Sequence, residues 1–126
     1  MAASEMRKRP AATSDELERV RGKALRAPLI LVVAAVVEPH PKVPAIEQVL
    51  SAGSAAYAML YTLQARGFAG LWRTGDFAYD RELKREFGLR EQDAIVGFIY
   101  AGTAKHRAPD SARPVPEAFV HDWGTE

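Results

Sequence analysis

Apolar residues recur along this chain with two different periods, and each change of period marks an element. Residues 1–12 (MAASEMRKRPAA) show no period and read as a loose lead-in to a domain spanning 13–126. Thr13-x-x-Glu16 has the form of a capping box, in which hydroxyl and carboxylate each satisfy a free amide of a first helical turn. Leu17, Val20 and Ala24 then fall at i, i+3 and i+7, one apolar stripe on an otherwise charged helix that stops before Pro28. Leu29–Val37 (LILVVAAVV) is continuously apolar and rich in β-branched residues, which predicts a strand covered on both faces. Pro44 suits a first helical turn, where its missing N–H has no partner to lose. A helix from Pro44 to Arg66 would be about 34 Å long at ~1.5 Å per residue. Its middle, Ser51–Ala58, is small on every side, which predicts burial at the centre of the molecule or in a subunit interface.

Gly67 ends that helix. Phe68–Trp72 reads as a short buried strand and Arg73–Asp76 as the loop leaving it. Asp80–Phe87 reads as a short helix, with Leu83 and Phe87 paired on one side and Gly88 closing it. Ala94–Ala101 (AIVGFIYA) is another buried strand. The tail from Gly102 onward, with Pro109, Pro114 and Pro116, is extended and irregular until Phe119 and Val120. The order is therefore helix, strand, helix, strand, helix, strand, tail, an α/β arrangement with few strands. Three buried strands and a helix apolar on all sides require more cover than these pieces provide, from a partner subunit or from a further part of the domain.

Composition narrows the function classes. A chain of 126 residues is one domain, and 48% hydrophobic with 26% charged residues is ordinary for a globular protein. The net charge of +1 predicts neither a nucleic-acid nor a membrane-surface partner. The absence of cysteine excludes disulfides, thiolate nucleophiles and Cys-ligated metals, and a reducing cytoplasm is the expected location. His40, His106 and His121 are scattered, so no metal site is expected. Ala27–Val37 is too short to span a bilayer, and Gln48–Ala65 carries too many polar residues. The chain contains no nucleophile elbow, Walker motif or dinucleotide Gly-x-Gly-x-x-Gly.

The informative stretch is Gly67–Gly75 (GFAGLWRTG), a strand ending in a large aromatic, a guanidinium, a hydroxyl and a glycine. Loop amides and Arg73 together suit an anion or the polar edge of a flat heterocycle. The plainer alternative is that Trp72 packs the core and Arg73 pairs with Asp76 or Glu82.

Five motifs in order sharpen this: Arg26-Ala-Pro-Leu; Lys42-Val-Pro; Glu47-Gln48-x-x-Ser51-Ala-Gly; Gly67-Phe-x-Gly-x-Trp-Arg-Thr-Gly75; and Phe87-Gly-x-Arg-Glu-Gln-Asp-x-Ile-Val-Gly-Phe-x-Tyr-x-Gly102. Together they resemble the nitroreductase family of FMN-dependent NAD(P)H oxidoreductases, in its short branch. The resemblance implies an α+β fold, a nitroreductase-like three-layer α/β/α sandwich. It also implies a homodimer with FMN bound between subunits, and a ping-pong cycle passing electrons from NAD(P)H to a nitroaromatic, quinone or similar small-molecule acceptor. By the same resemblance Trp72, Arg73, Thr74 and Gly75 line the flavin, with a backbone amide near Thr74 or Gly75 at its N5 edge. Thr62, Leu63, Gln64, Ala65, Arg66 and Gly67 match a stretch associated with the pyridine nucleotide. Arg113 matches either a basic position at the FMN phosphate or a solvated surface arginine. No side chain is expected as a catalytic acid or base, because the cofactor carries the chemistry. Family members also carry an N-terminal flavin-holding segment with an Arg-Arg-Ser-type triplet, which Met1–Pro28 does not match. The expectation is thus a C-terminal two-thirds of the fold, incomplete at its N-terminus. Such a chain is either a flavin oxidoreductase or a non-catalytic dimerising remnant without flavin.

Overall fold

Strand pairing organises the molecule around one central strand. The computed structural model describes residues 6, 9–106 and 109–124, so the lead-in predicted over 1–12 falls largely outside the described residues. Strands β1 (Leu29–Ala35), β2 (Ala69–Arg73) and β3 (Ala94–Gly102) form a 3-stranded antiparallel sheet in the order β1-β3-β2. Leu29 pairs with Ala101 at one end of the β1–β3 ladder and Ala35 with Ala94 at the other, with a bulge between Val33 and Ala34. Trp72 pairs with Ile99 and Arg73 with Phe98 on the far side of β3.

Helices cover both faces, giving the α/β/α layering of an α+β fold. Helix α1 (Ser14–Ala24) begins with the predicted capping box: Glu16 N donates to Thr13 Oγ1 at 3.3 Å and Thr13 N to Glu16 Oε2 at 2.9 Å. The Thr13 amide, with the Arg9 guanidinium, holds the Glu16 carboxyl below its ordinary range. Val20 of α1 is buried against Ile95 and Phe98 of β3, together with Phe77 and Ala78 of a 3-10 turn (Asp76–Tyr79) and Leu83 of helix α3 (Arg81–Glu86). Asp80 starts α3 by accepting from Leu83 N at 2.8 Å. On the other face, helix α2 (Ala45–Ala65) sets Ala56 against Val33 and Ile99, flanked by Leu31, Leu60, Leu63, Trp72 and Val96. Gly67 takes φ +80 just past α2, and Phe68 N donates back to Leu63 O at 2.8 Å, which turns the chain into β2.

Two expectations about burial, for β1 and β2, are corrected, and α2 does not take the central one of the two positions expected for it. Strand β1 stops at Ala35 and is only partly covered on its two faces, since Leu29 and Val32 remain exposed. Strand β2 lies at the sheet's edge with every residue but Trp72 exposed, so it is not the buried strand its composition suggested. Helix α2 is not enclosed within this chain: Ala56 is its only buried residue, while Ile46, Leu50, Tyr57, Met59 and Tyr61 face outward. An apolar helix shows the same pattern whether its own chain or something else covers it, and among the described residues only the sheet-facing side is covered. Phe87, expected to pair with Leu83, is half out of the core at 46% exposure.

The ends of β1 and β3 are tied by a buried carboxylate. Asp93 Oδ1 accepts from Val37 N at 2.9 Å and from Arg90 Nη2 at 3.0 Å, and Oδ2 accepts from Arg90 N at 2.7 Å. Arg90 in turn donates to Val37 O at 3.0 Å and pairs with Glu38 at 2.7 Å. The Arg90 side chain, assisted by the Arg90 and Val37 amides and opposed by burial, holds the Asp93 carboxyl well below the usual carboxylate range. A carboxyl depressed in the folded state stabilises above its unfolded pKa, about 3.9, and loses that contribution as pH falls toward its folded value. Asp93→Asn should therefore lower the thermal midpoint at pH 7 and flatten the dependence of stability on pH below about 4. Thermal denaturation of both proteins across that range checks it, and parallel curves would refute the clasp.

Candidate functional site

Strand alternation decides what the Trp72–Gly75 segment presents. Successive side chains of β2 point to opposite faces, so Trp72 and Gly70 turn toward α2 while Leu71 and Arg73 turn the other way. Trp72 is half-buried and donates through Nε1 to Val96 O at 3.3 Å. Its indole lies over Gly97, where a Cβ would run into the ring. A Cβ on Gly70 would come within 2.8 Å of Leu60, so the edge strand lies tight on α2 at that point. The plainer reading of Trp72 as a packing residue thus describes its side chain as found. No ion pair forms between Arg73 and Asp76 or Glu82 among the described residues; Glu82 pairs with Arg85 instead.

Arg73, Thr74 and Gly75 line a cleft of about 350 Å³ on the face opposite α2. Gly75 adopts φ +89, a region that disfavours side chains, with open space around the position. The opposite wall comes from the end of α1 and the turn after it, which supply Lys23 and Arg26. Phe77, Phe98 and Tyr100 form the aromatic part of the lining, and the Lys23 ammonium stands 5.6 Å from the centre of the Phe77 ring. Asp76 is the one carboxylate among these lining residues. A second hollow of about 240 Å³ adjoins the cleft and shares Arg26, Arg73 and Tyr100 with it. The shared wall is cationic, the smaller hollow is otherwise largely apolar, and the larger cleft sets Lys23, Thr74 and Asp76 beside its aromatic rings, which together suit a flat ligand with an electron-rich polar edge.

Other expected residues lie elsewhere. Thr62, Leu63, Gln64, Ala65, Arg66 and Gly67 form the end of α2 and its cap; Leu63 packs under the sheet and Thr62 Oγ1 donates to Ala58 O at 2.9 Å. None of the six lines the cleft. Arg113 comes close enough to the Tyr57 hydroxyl to favour its phenolate, although the stronger influence is the Tyr61 hydroxyl, 2.8 Å away, which raises the Tyr57 pKa. Arg113 is not among the residues lining the cleft. Among the described residues no group of His, Asp or Glu could hold a metal ion, and no helix is long and apolar enough to cross a membrane. Lys23 went unremarked in the sequence, and Arg26 and Tyr100 appeared only within motifs. No spacing rule links a helix end to a strand that follows nearly fifty residues later.

Comparison with known proteins places the chain. No protein-family model matches it. It is 44% identical over 113 residues to the "Putative NAD(P)H nitroreductase YdjA" of Escherichia coli strain K12, an alignment covering 87% of this chain and 62% of that protein. It is 35% identical over 102 residues to the "Putative NAD(P)H nitroreductase" of Haemophilus influenzae, covering 80% of this chain and 55% of the relative. The chain therefore spans somewhat under two thirds of the length of these relatives. Among solved structures, the nitroreductase-like family protein from Bacillus cereus superposes with a TM-score of 0.65 at 21% identity, covering 90% of this chain and 63% of that one.

The division of labour along β2 is measurable. Trp72→Ala should cost about 2–4 kcal/mol, because it empties the space between Gly97 and α2. Arg73→Ala, an exposed position without an ion pair among the described residues, should stay within about 0.5 kcal/mol of the parent. Urea denaturation of the two variants checks this, and equal losses would mean that Arg73 is structural.

Proposed function

The chain belongs to the nitroreductase family, and from that premise we propose that it acts as an FMN-dependent oxidoreductase using NAD(P)H to reduce nitroaromatics, quinones or similar acceptors in a ping-pong cycle. The observation that carries this reading is the gathering of Arg73, Thr74 and Gly75 with Lys23 and Arg26 around one cleft lined by Phe77, Phe98 and Tyr100. The donor set fits the polar edge of a flavin: a guanidinium, a hydroxyl and the backbone at a glycine that no side chain crowds. Bound there, FMN would supply the ring that accepts hydride and delivers electrons.

What the chain itself contributes is binding and charge. Arg73 and Thr74 would hold the electron-rich edge by hydrogen bonds, and the nearby cations would favour the charge that builds on that edge during reduction. Trp72 takes a positioning part: its indole fixes the register of β2, and through strand alternation it aims Arg73 into the cleft. The lining side chains bearing hydroxyls or charges are enough to orient a ring, and no acid or base among them is required for proton delivery, which solvent can perform. The Thr62–Gly67 segment, away from the cleft lining, would meet a pyridine nucleotide only where a second subunit brings the two surfaces together.

A homodimer is part of the same proposal. The outward row Ile46, Leu50, Tyr57 and Tyr61 on α2 is a stripe separate from the one that packs on the sheet, and burying it offers ~25 cal/mol per Å² of apolar area. The cell compartment proposed is the cytoplasm, on the absence of cysteine.

The purified chain should carry yellow flavin absorbance or take up added FMN. It should oxidise NADH or NADPH when given a nitroaromatic or quinone, and sediment as a dimer. Arg73→Ala should weaken FMN retention at least tenfold, the loss expected for one charge-assisted hydrogen bond, with its fold intact. A colourless dimer that takes up no FMN would instead support the non-catalytic alternative.

A further inference from the structure

We propose that the smaller hollow beside the cleft is a binding site for a single-ring aromatic acid, held through Arg26. This rests on the proposed function only in naming the hollow's occupant as an electron acceptor; the binding itself is independent of flavin.

The hollow is framed by the Ala27-Pro28 turn ahead of β1, by Ala69, Gly70 and Leu71 of β2 and by the end of β3. That lining is apolar apart from Arg26, Arg73, Tyr100 and Thr103. Neither guanidinium takes part in an ion pair among the described residues. Two uncompensated guanidiniums at the rim of an apolar hollow are complementary to a ligand with an apolar body and an anionic end, and a carboxylate matches the planar fork of arginine. Size sets the rest. At about 240 Å³ the hollow lies just below the usual range for small-molecule pockets, about 300–1,000 Å³, so it admits one ring and excludes a dinucleotide. Gly102 keeps the far end narrow: a Cβ there would stand 2.8 Å from Pro28 Cδ, which leaves flat ligands favoured over branched ones. Arg26, Arg73 and Tyr100 also face the larger cleft, so an acid bound here lies next to the position proposed for the flavin. The acceptor class that follows is a nitro- or quinone-bearing aromatic carboxylate.

The test uses benzoate, which cannot be reduced, and its neutral isostere benzamide, titrated into the full chain while the amide NMR signals of Leu71, Tyr100 and Gly102 are followed. Saturable shifts with benzoate, at least tenfold weaker binding of benzamide, and a tenfold loss in Arg26→Gln are expected, the factor for one charge-assisted hydrogen bond. Arg26→Lys should restore part of the affinity, and circular dichroism verifies that both variants fold. Benzoate and benzamide binding alike, benzoate unaffected by Arg26→Gln, or inorganic phosphate binding as tightly as benzoate would each overturn the assignment. Because no flavin or NAD(P)H enters the assay, a chain without turnover can still bind benzoate, and an active enzyme that ignores benzoate refutes this inference alone.

Discussion

The Trp72 indole occupies the space that Gly97 leaves empty, and much of the site's geometry depends on that contact. Strand β2 is a 5-residue edge strand with few buried side chains, so the ladder to β3 alone would hold it weakly. The indole adds a hydrogen bond to Val96 O and packing against α2. It also removes ambiguity of register: a slip by one residue would send Trp72 to the opposite face and place Arg73 against the helix. Because the strand period is two, fixing Trp72 inward fixes Arg73 outward. A residue outside the cleft thereby determines which residue enters it.

The elements were legible in the sequence where local chemistry decides them. Thr13 and Glu16 announce a helix start that needs nothing distant to form, and Gly67 marks the end of α2 because a residue at φ +80 has few alternatives. The segment Arg73-Thr74-Gly75 stood out in the sequence beside a plainer reading, an ion pair of Arg73 with Asp76 or Glu82, and it lines the cleft. Burial was less legible. A run such as LILVVAAVV records that apolar surface is present but carries no record of what covers it, so β1 read as fully covered although Leu29 and Val32 stay exposed, and nothing in α2 told its sheet-facing side from its outward one. Trp72 shows the same limit at a single residue: the sequence fixes its size and character, while the face it turns to depends on register with β3. Lys23 and Arg26 were hidden for a further reason. They join the site only because Val20 docks α1 against Phe98, a contact between residues far apart in the chain.

Two apolar stripes on one helix have different consequences. The stripe around Ala56 meets the sheet and is limited by close approach; Gly53 and Ala56 leave room for Val96 and Ile99. The stripe of Ile46, Leu50, Tyr57 and Tyr61 faces outward, and its tyrosine pair is already ordered, ring edge to ring face at 4.9 Å with the hydroxyls bonded. Aromatic rings held in one arrangement lose little further entropy on being covered, which is the property of a surface prepared for contact.

The arrangement of charge follows the same logic of support from a distance. The Asp93 clasp draws Arg90 onto the Val37 carbonyl and Glu38, so the cation nearest the start of β3 is fully engaged at the end of the sheet away from the cleft. At the other end Lys23, Arg26 and Arg73 converge with Asp76 as the one lining carboxylate. Satisfied charge at one end and surplus positive charge at the other give the sheet a direction. Lys23, Arg26 and Arg73 have no ion-pair partner among the described residues, so their mutual repulsion is relieved when an anion or an electron-rich ring edge arrives. Surplus positive charge would therefore supply part of the affinity by which the cleft proposed as the site is filled.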